Sequence, residues 1–85
     1  MMAKHELKTW PEFFQAIWCG DKTFEIRKDD RGFKERDKVV LQEWDPKTQE
    51  PTGREVHAFI TYLSGYGQAP HFVVFSFREF HRVEG

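Results

Sequence analysis

The sequence predicts an α+β fold, rich in strands, with a single helix near its start. Three observations point there. Residues 9–20 combine helix-start and helix-stop signals around an apolar repeat of helical period. Several later runs have the length and composition of strands. Stretches of turn-forming residues separate those runs. The 85 residues are enough for one domain, 1–85. A chain this short buries a modest fraction of its surface. Nine Phe, three Trp and two Tyr offset that limit, since each aromatic buries roughly 150–250 Å².

Residues 4–8 form a short first strand. Thr9 and Glu12 have capping-box spacing, and Pro11 occupies the first turn, where its missing N–H costs nothing. Trp10, Phe13, Phe14, Ile17 and Trp18 follow as one apolar stripe, expected to pack on a sheet. For Trp10 and Trp18 the core is the ordinary destination, and a pocket wall is the alternative. Gly20 closes the helix.

Gly20-Asp21-Lys22-Thr23-Phe24-Glu25-Ile26-Arg27 opens the next strand. Alternation places Phe24 and Ile26 on one face, to be buried, and Thr23, Glu25 and Arg27 on the other. Lys22 falls on the apolar parity and joins the polar group only if the chain bends near Gly20. An edge strand with a solvated charged face is the plain alternative.

Asp29 to Asp37 is a polar loop around Gly32. Lys38 to Trp44 is β-rich in composition. Residues 45–53, with two prolines and a glycine, form a hairpin loop. The return strand, Arg54 to Leu63, is apolar on both faces and therefore central. Ser64 to Pro70 is a second loop, with Tyr66 between two glycines. Phe72 to Phe77 is the last core strand, and Arg78 to Gly85 extends it. The order is β-α-β-β-β-β, a curled, mostly antiparallel sheet closed by the N-terminal helix.

The motif Gly20-x-Lys22-x-x-Glu25-x-Arg27 resembles the signature of ASCH domains, a branch of the PUA-like fold. The segments His5–Lys8, Arg27–Arg31, Leu41–Pro46 and Thr52–Glu55 are similar to those of small phage and bacterial proteins related to ASCH domains. The likeness runs from about His5 to Phe77. It implies a PUA-like pseudo-barrel with the motif at a cleft between helix and barrel. Related domains tend to carry a small residue, often Gly, before the aspartate that leads the third strand. Glu35 and Arg36 stand there in this chain.

Charged residues make up 32% of the sequence and nearly balance, with net charge −1. That excludes the bulk electrostatics of a typical basic nucleic-acid binder. Seven of the 13 basic residues lie between Lys22 and Lys38, interleaved with acids, which also suits a solvated mixed-charge loop. Cys19 is the only cysteine, which fits a reducing cytoplasm. No signal peptide or membrane span is evident, and a cytoplasmic location is expected. His5, His57, His71 and His81 lack metal-binding spacing, so neither metal nor cofactor is expected. Glu43 with Asp45 could hold a cation but also suits plain surface.

The remaining constellation is Lys22, Glu25 and Arg27. Arg27 can fork onto a phosphate or base edge. Lys22 can bind phosphate or act as a base. Glu25 can orient a cation, accept from a base amino group, or serve in acid–base catalysis. Lys28 and Arg31 extend the basic character, and Trp44 or Tyr66 could stack a base. The composition suits one unstacked nucleotide, not a long duplex.

ASCH domains are similar to PUA domains, which recognise RNA, so the resemblance implies single-stranded RNA or a nucleotide or nucleoside as partner. The alternative is a hydrolase. Some ASCH relatives are amidohydrolases of acetylated cytidine, pairing the motif lysine with a threonine three residues later, and others act as ribonucleases. Lys22 matches, but Glu25 holds the threonine position, and Thr23 is displaced from it. Ribonuclease chemistry would ask only for Glu25 as base and cations on the phosphate. A protein partner, with no RNA role, is the third expectation.

Overall fold

The computed structural model describes residues 2–85. Its elements are β1 (Lys4–Thr9), α1 (Pro11–Trp18), β2 (Phe24–Lys28), β3 (Lys38–Asp45), β4 (Glu50–Ser64) and β5 (Phe72–Glu84). They form one five-stranded sheet in the order β1-β3-β4-β5-β2. Only the β1–β3 pair is parallel. The return strand β4 is central in the sheet, but only its face of Val56, Ala58 and Ile60 is buried, and Phe59 and Thr61 on the other face are exposed. Register shifts between Gln42 and Trp44, His57 and Ala58, and Ile60 and Tyr62 curl the sheet, as bulges sharpen local twist. The result is a curled half-barrel with one short helix.

The core lies inside the curl. Leu7, Val39, Leu41, Val56, Ala58, Ile60, Val73 and Phe75 point inward from the strands, and Phe14 and Ile17 enter from α1. Phe33, from the loop expected to be polar, is also buried there. Asp29 permits this by accepting the backbone N–H groups of Gly32 and Phe33 on one oxygen, both at 2.9 Å. That turn aims the ring at Phe75, with centroids 5.3 Å apart.

The helix start differs from the capping box. Thr9 ends β1, paired with Glu43, and its buried hydroxyl donates to Leu7 O at 3.4 Å. Trp10 is the N-cap, without a side-chain cap, and Pro11 supplies the preset first turn. At the other end, Gly20 has φ +87°, which favours glycine because it has no Cβ. The reversal lets the N–H groups of Asp21 and Lys22 donate to Ala16 O.

Arginines hold α1 on the sheet. Arg54 lies 4.8 Å from the Trp18 ring and Arg82 4.1 Å. Arg82 also donates to Trp18 O at 3.0 Å. Glu43 orients Arg54 through two hydrogen bonds of 2.9 Å and accepts from Thr52 at 2.6 Å. These contacts occupy Glu43, so the Glu43–Asp45 cation site is replaced by an internal ion pair. Hydrogen bonds from Arg54 hold the Glu43 carboxyl below its ordinary value against the opposing effect of burial.

His5 and Asp37 form a second buried pair, 2.8 Å apart. Asp37 also accepts the N–H groups of Ala3 and Lys34, each at 3.1 Å. Burial pushes the Asp37 carboxyl up. The hydrogen bonds from His5, Ala3 and Lys34, with the His5 charge, outweigh it and leave the carboxyl lowered. Arg36, just before it, has φ +76°. An arginine thus holds a left-handed backbone that favours glycine.

Candidate functional site

The motif strand β2 is at the sheet edge, paired only with β5. Its faces are the reverse of the sequence expectation. Phe24 and Ile26 are 42% and 51% exposed on the outer face, whereas Glu25 points inward and is 5% exposed. The reason is the seam between the free edges of β2 and β1. The β1 edge leaves backbone carbonyls that need donors. Arg27 Nη2 donates to Lys8 O at 2.9 Å and to Thr9 Oγ1 at 3.3 Å. Arg31 Nη1 donates to Glu6 O at 2.9 Å. Apolar side chains at these inward positions would leave the carbonyls unsatisfied.

A cavity of about 500 Å³ opens at one end of this seam, lined by Lys8, Thr9, Trp10, Phe13, Lys22, Phe24, Glu25, Ile26 and Arg27. The bend after Gly20 brings Lys22 to the polar group. Its Nζ lies 3.3 Å from Glu25 Oε2, and Arg27 Nε lies 3.5 Å from the same oxygen. Lys22 Nζ also donates to Phe24 O at 2.8 Å. Both cations therefore face one carboxylate oxygen. The other, Glu25 Oε1, is buried without a hydrogen-bond partner. An unpaired buried acceptor costs roughly 1–3 kcal/mol, more when charged. The cavity wall thus carries three cations, the Glu25 carboxylate, and the apolar side chains of Trp10, Phe13, Phe24 and Ile26.

The structure thus brings together Lys22, Glu25 and Arg27 and leaves the other sequence candidates outside the cavity. Lys28 lies beyond it on β2 and is exposed. Arg31 reaches the β1 edge, as described. Trp44 carries Lys8 Nζ 4.1 Å from its ring centroid, so this ring backs a lysine of the cleft without lining the cleft itself. Tyr66, 92% exposed, belongs to a separate loop. Thr23, too, is absent from the cavity wall.

Trp10 takes the pocket-wall alternative that the sequence left open, while Lys8, Thr9 and Phe13 were not legible as site residues. The available signal was excess. Phe14 and Ile17 alone bury fully from α1. Trp10 and Phe13 face the cleft instead of the core.

A model of the family described as "Domain of unknown function (DUF3850)" matches residues 4–77. The chain belongs to this DUF3850 family. It is 42% identical over 62 residues to the "Uncharacterized 12.9 kDa protein in GpA 3'region" of Escherichia phage P2. That match covers 72% of this chain and 55% of the phage protein, so the chain spans about half the length of this relative. The DUF3850 match contains every residue that lines the cleft. Among the described residues there is no group of three or more His, Cys, Asp or Glu side chains placed to hold a metal ion. No helix among them is long and apolar enough to cross a membrane.

Proposed function

We propose that the cleft binds one unstacked nucleotide, presented by single-stranded RNA or as a free nucleotide. The observation that carries this reading is the Glu25 carboxylate, incompletely satisfied inside the protein, among the residues that line an aromatic-walled, cation-rimmed cavity. A carboxylate there suits a base amino group. Lys22 and Lys8 suit a phosphate, and Trp10, Phe13 or Phe24 suits the face of a base. The cavity volume lies within the ordinary range for small-molecule sites. The resemblance to ASCH domains supports this reading, because Lys22, Glu25 and Arg27 of that motif line one cleft and Gly20 makes the bend before it.

The test compares wild type with Lys22→Ala and Glu25→Gln in fluorescence-anisotropy titrations of short single-stranded RNA. Each substitution removes a charged hydrogen-bonding group and should weaken binding by tenfold or more, from roughly 1.5–3 kcal/mol per charged hydrogen bond. Unchanged affinity in both variants would rule out the cleft as the site. New RNA products growing in over time would replace binding with hydrolysis.

A further inference from the structure

The outer face of the sheet carries a second aromatic and cationic cluster. Phe59 of β4 and Phe80 of β5 stack with centroids 4.5 Å apart and planes inclined by 20°, yet remain 42% and 48% exposed. Lys38 Nζ lies 5.3 Å from the Phe80 ring. Beside them a cavity of about 540 Å³ is bordered by Phe59, Thr61, Arg36 and Arg78. Glu79 pairs with Arg82 at 2.7 Å and Glu55 meets His57 at 2.9 Å. Glu35 also borders the cavity and accepts the neutral Leu63 N–H at 3.4 Å, so its charge offsets one of Arg36, Lys38 and Arg78.

This cluster is continuous with the motif cleft. Phe24, on the cleft wall, sits opposite Ser76 in the β2–β5 ladder. Opposed residues of an antiparallel pair share a face. The Ser76 hydroxyl hydrogen-bonds Thr61 Oγ1 at 2.8 Å, and Thr61 borders the second cavity. The path crosses two strand spacings, roughly 10 Å. A second copy of this chain suits the face poorly, since twofold pairing would oppose like charges at Arg36, Lys38 and Arg78. Exposed rings flanked by cations suit a polyanion that carries flat groups.

We propose that single-stranded RNA binds as a short strand that leaves the motif cleft, crosses Ser76 and Thr61, and stacks a base at the Phe59–Phe80 pair. This inference rests on the reading of the cleft as a nucleotide site. The test measures anisotropy of fluorescein-labelled RNA dinucleotide and octanucleotide on the full chain. The octanucleotide should bind at least tenfold more tightly. Phe59→Ala with Phe80→Ala should remove that gain, about tenfold for a lost stack, and leave dinucleotide affinity unchanged. Arg78→Ala should lower the salt slope of the octanucleotide by roughly 0.7, the share of one phosphate on a single strand. Both rings are exposed, and thermal melts would verify that the variants fold. Arg78→Glu, which leaves the rings intact, should also reduce the gain. Equal affinity for the two lengths, or a length gain that survives these substitutions, overturns the track and leaves the cleft standing. Failure of wild type to bind either RNA overturns both.

Discussion

Arg27 Nη2 donates to the backbone carbonyl of Lys8 across the open seam of the sheet, at 2.9 Å. One side chain thus bridges the two edge strands and forms part of the cleft wall. Arg27→Ala should lower stability by about 1–3 kcal/mol, since a charged donor to an edge carbonyl is lost. For a domain of this size that is a fall in Tm of roughly 5–20 °C. Thermal unfolding followed by circular dichroism checks it, and an unchanged Tm would show that the bridge contributes nothing.

Arg36 holds a left-handed backbone at φ +76°, which costs a non-glycine residue about 1 kcal/mol. Arg36→Gly should therefore be neutral to stabilising by up to about 1 kcal/mol, with the freer unfolded chain taking back part of the gain. Arg36→Val should destabilise. Urea unfolding of the two variants distinguishes them, and equal losses in both would contradict the strain argument.

Gly20 presents the same physics in reverse. At φ +87°, with open space where a Cβ would sit, Gly20→Ala should cost about 1 kcal/mol from backbone conformation alone. Because this bend sets Lys22 beside Glu25, the substitution should also weaken ligand binding at the cleft. A stability loss with no change in affinity would show that Lys22 finds its position without the bend.

Asp37, Glu43 and Glu79 set the acid limit. All three carboxyls are lowered in the folded state, from ordinary values of 3.8, 4.5 and 4.5. Each then contributes stability that is complete above its unfolded value and is lost as the pH falls through its folded one. Unfolding midpoints in urea should hold steady to about pH 5 and decline below. Asp37→Asn should flatten part of that decline and lower stability at pH 7. An acid limb identical to wild type would remove Asp37 from the account.

The strand order along the chain, the single helix and the centrality of β4 were legible because they follow from local signals: Pro11, Gly20, β-branched runs and turn residues. The motif residues were legible as a group, but the direction in which they face was not. Alternation fixes that Phe24 and Ile26 oppose Glu25. It does not say which set points inward, because that depends on the unpaired β1 carbonyls, a non-local fact. Phe33 was hidden inside a run of charged residues and became core through the Asp29 turn. Trp10 and Phe13 were read with the core stripe because helical spacing alone does not show how wide a face the sheet can cover.

Nucleotide binding at the cleft is best tested by an amide and indole shift titration of isotope-labelled protein with short single-stranded RNA. The largest changes should fall on Lys22, Phe24, Glu25 and Arg27 and on the Trp10 indole, with Tyr66 and its loop unmoved. Saturating RNA that leaves those resonances in place would contradict it.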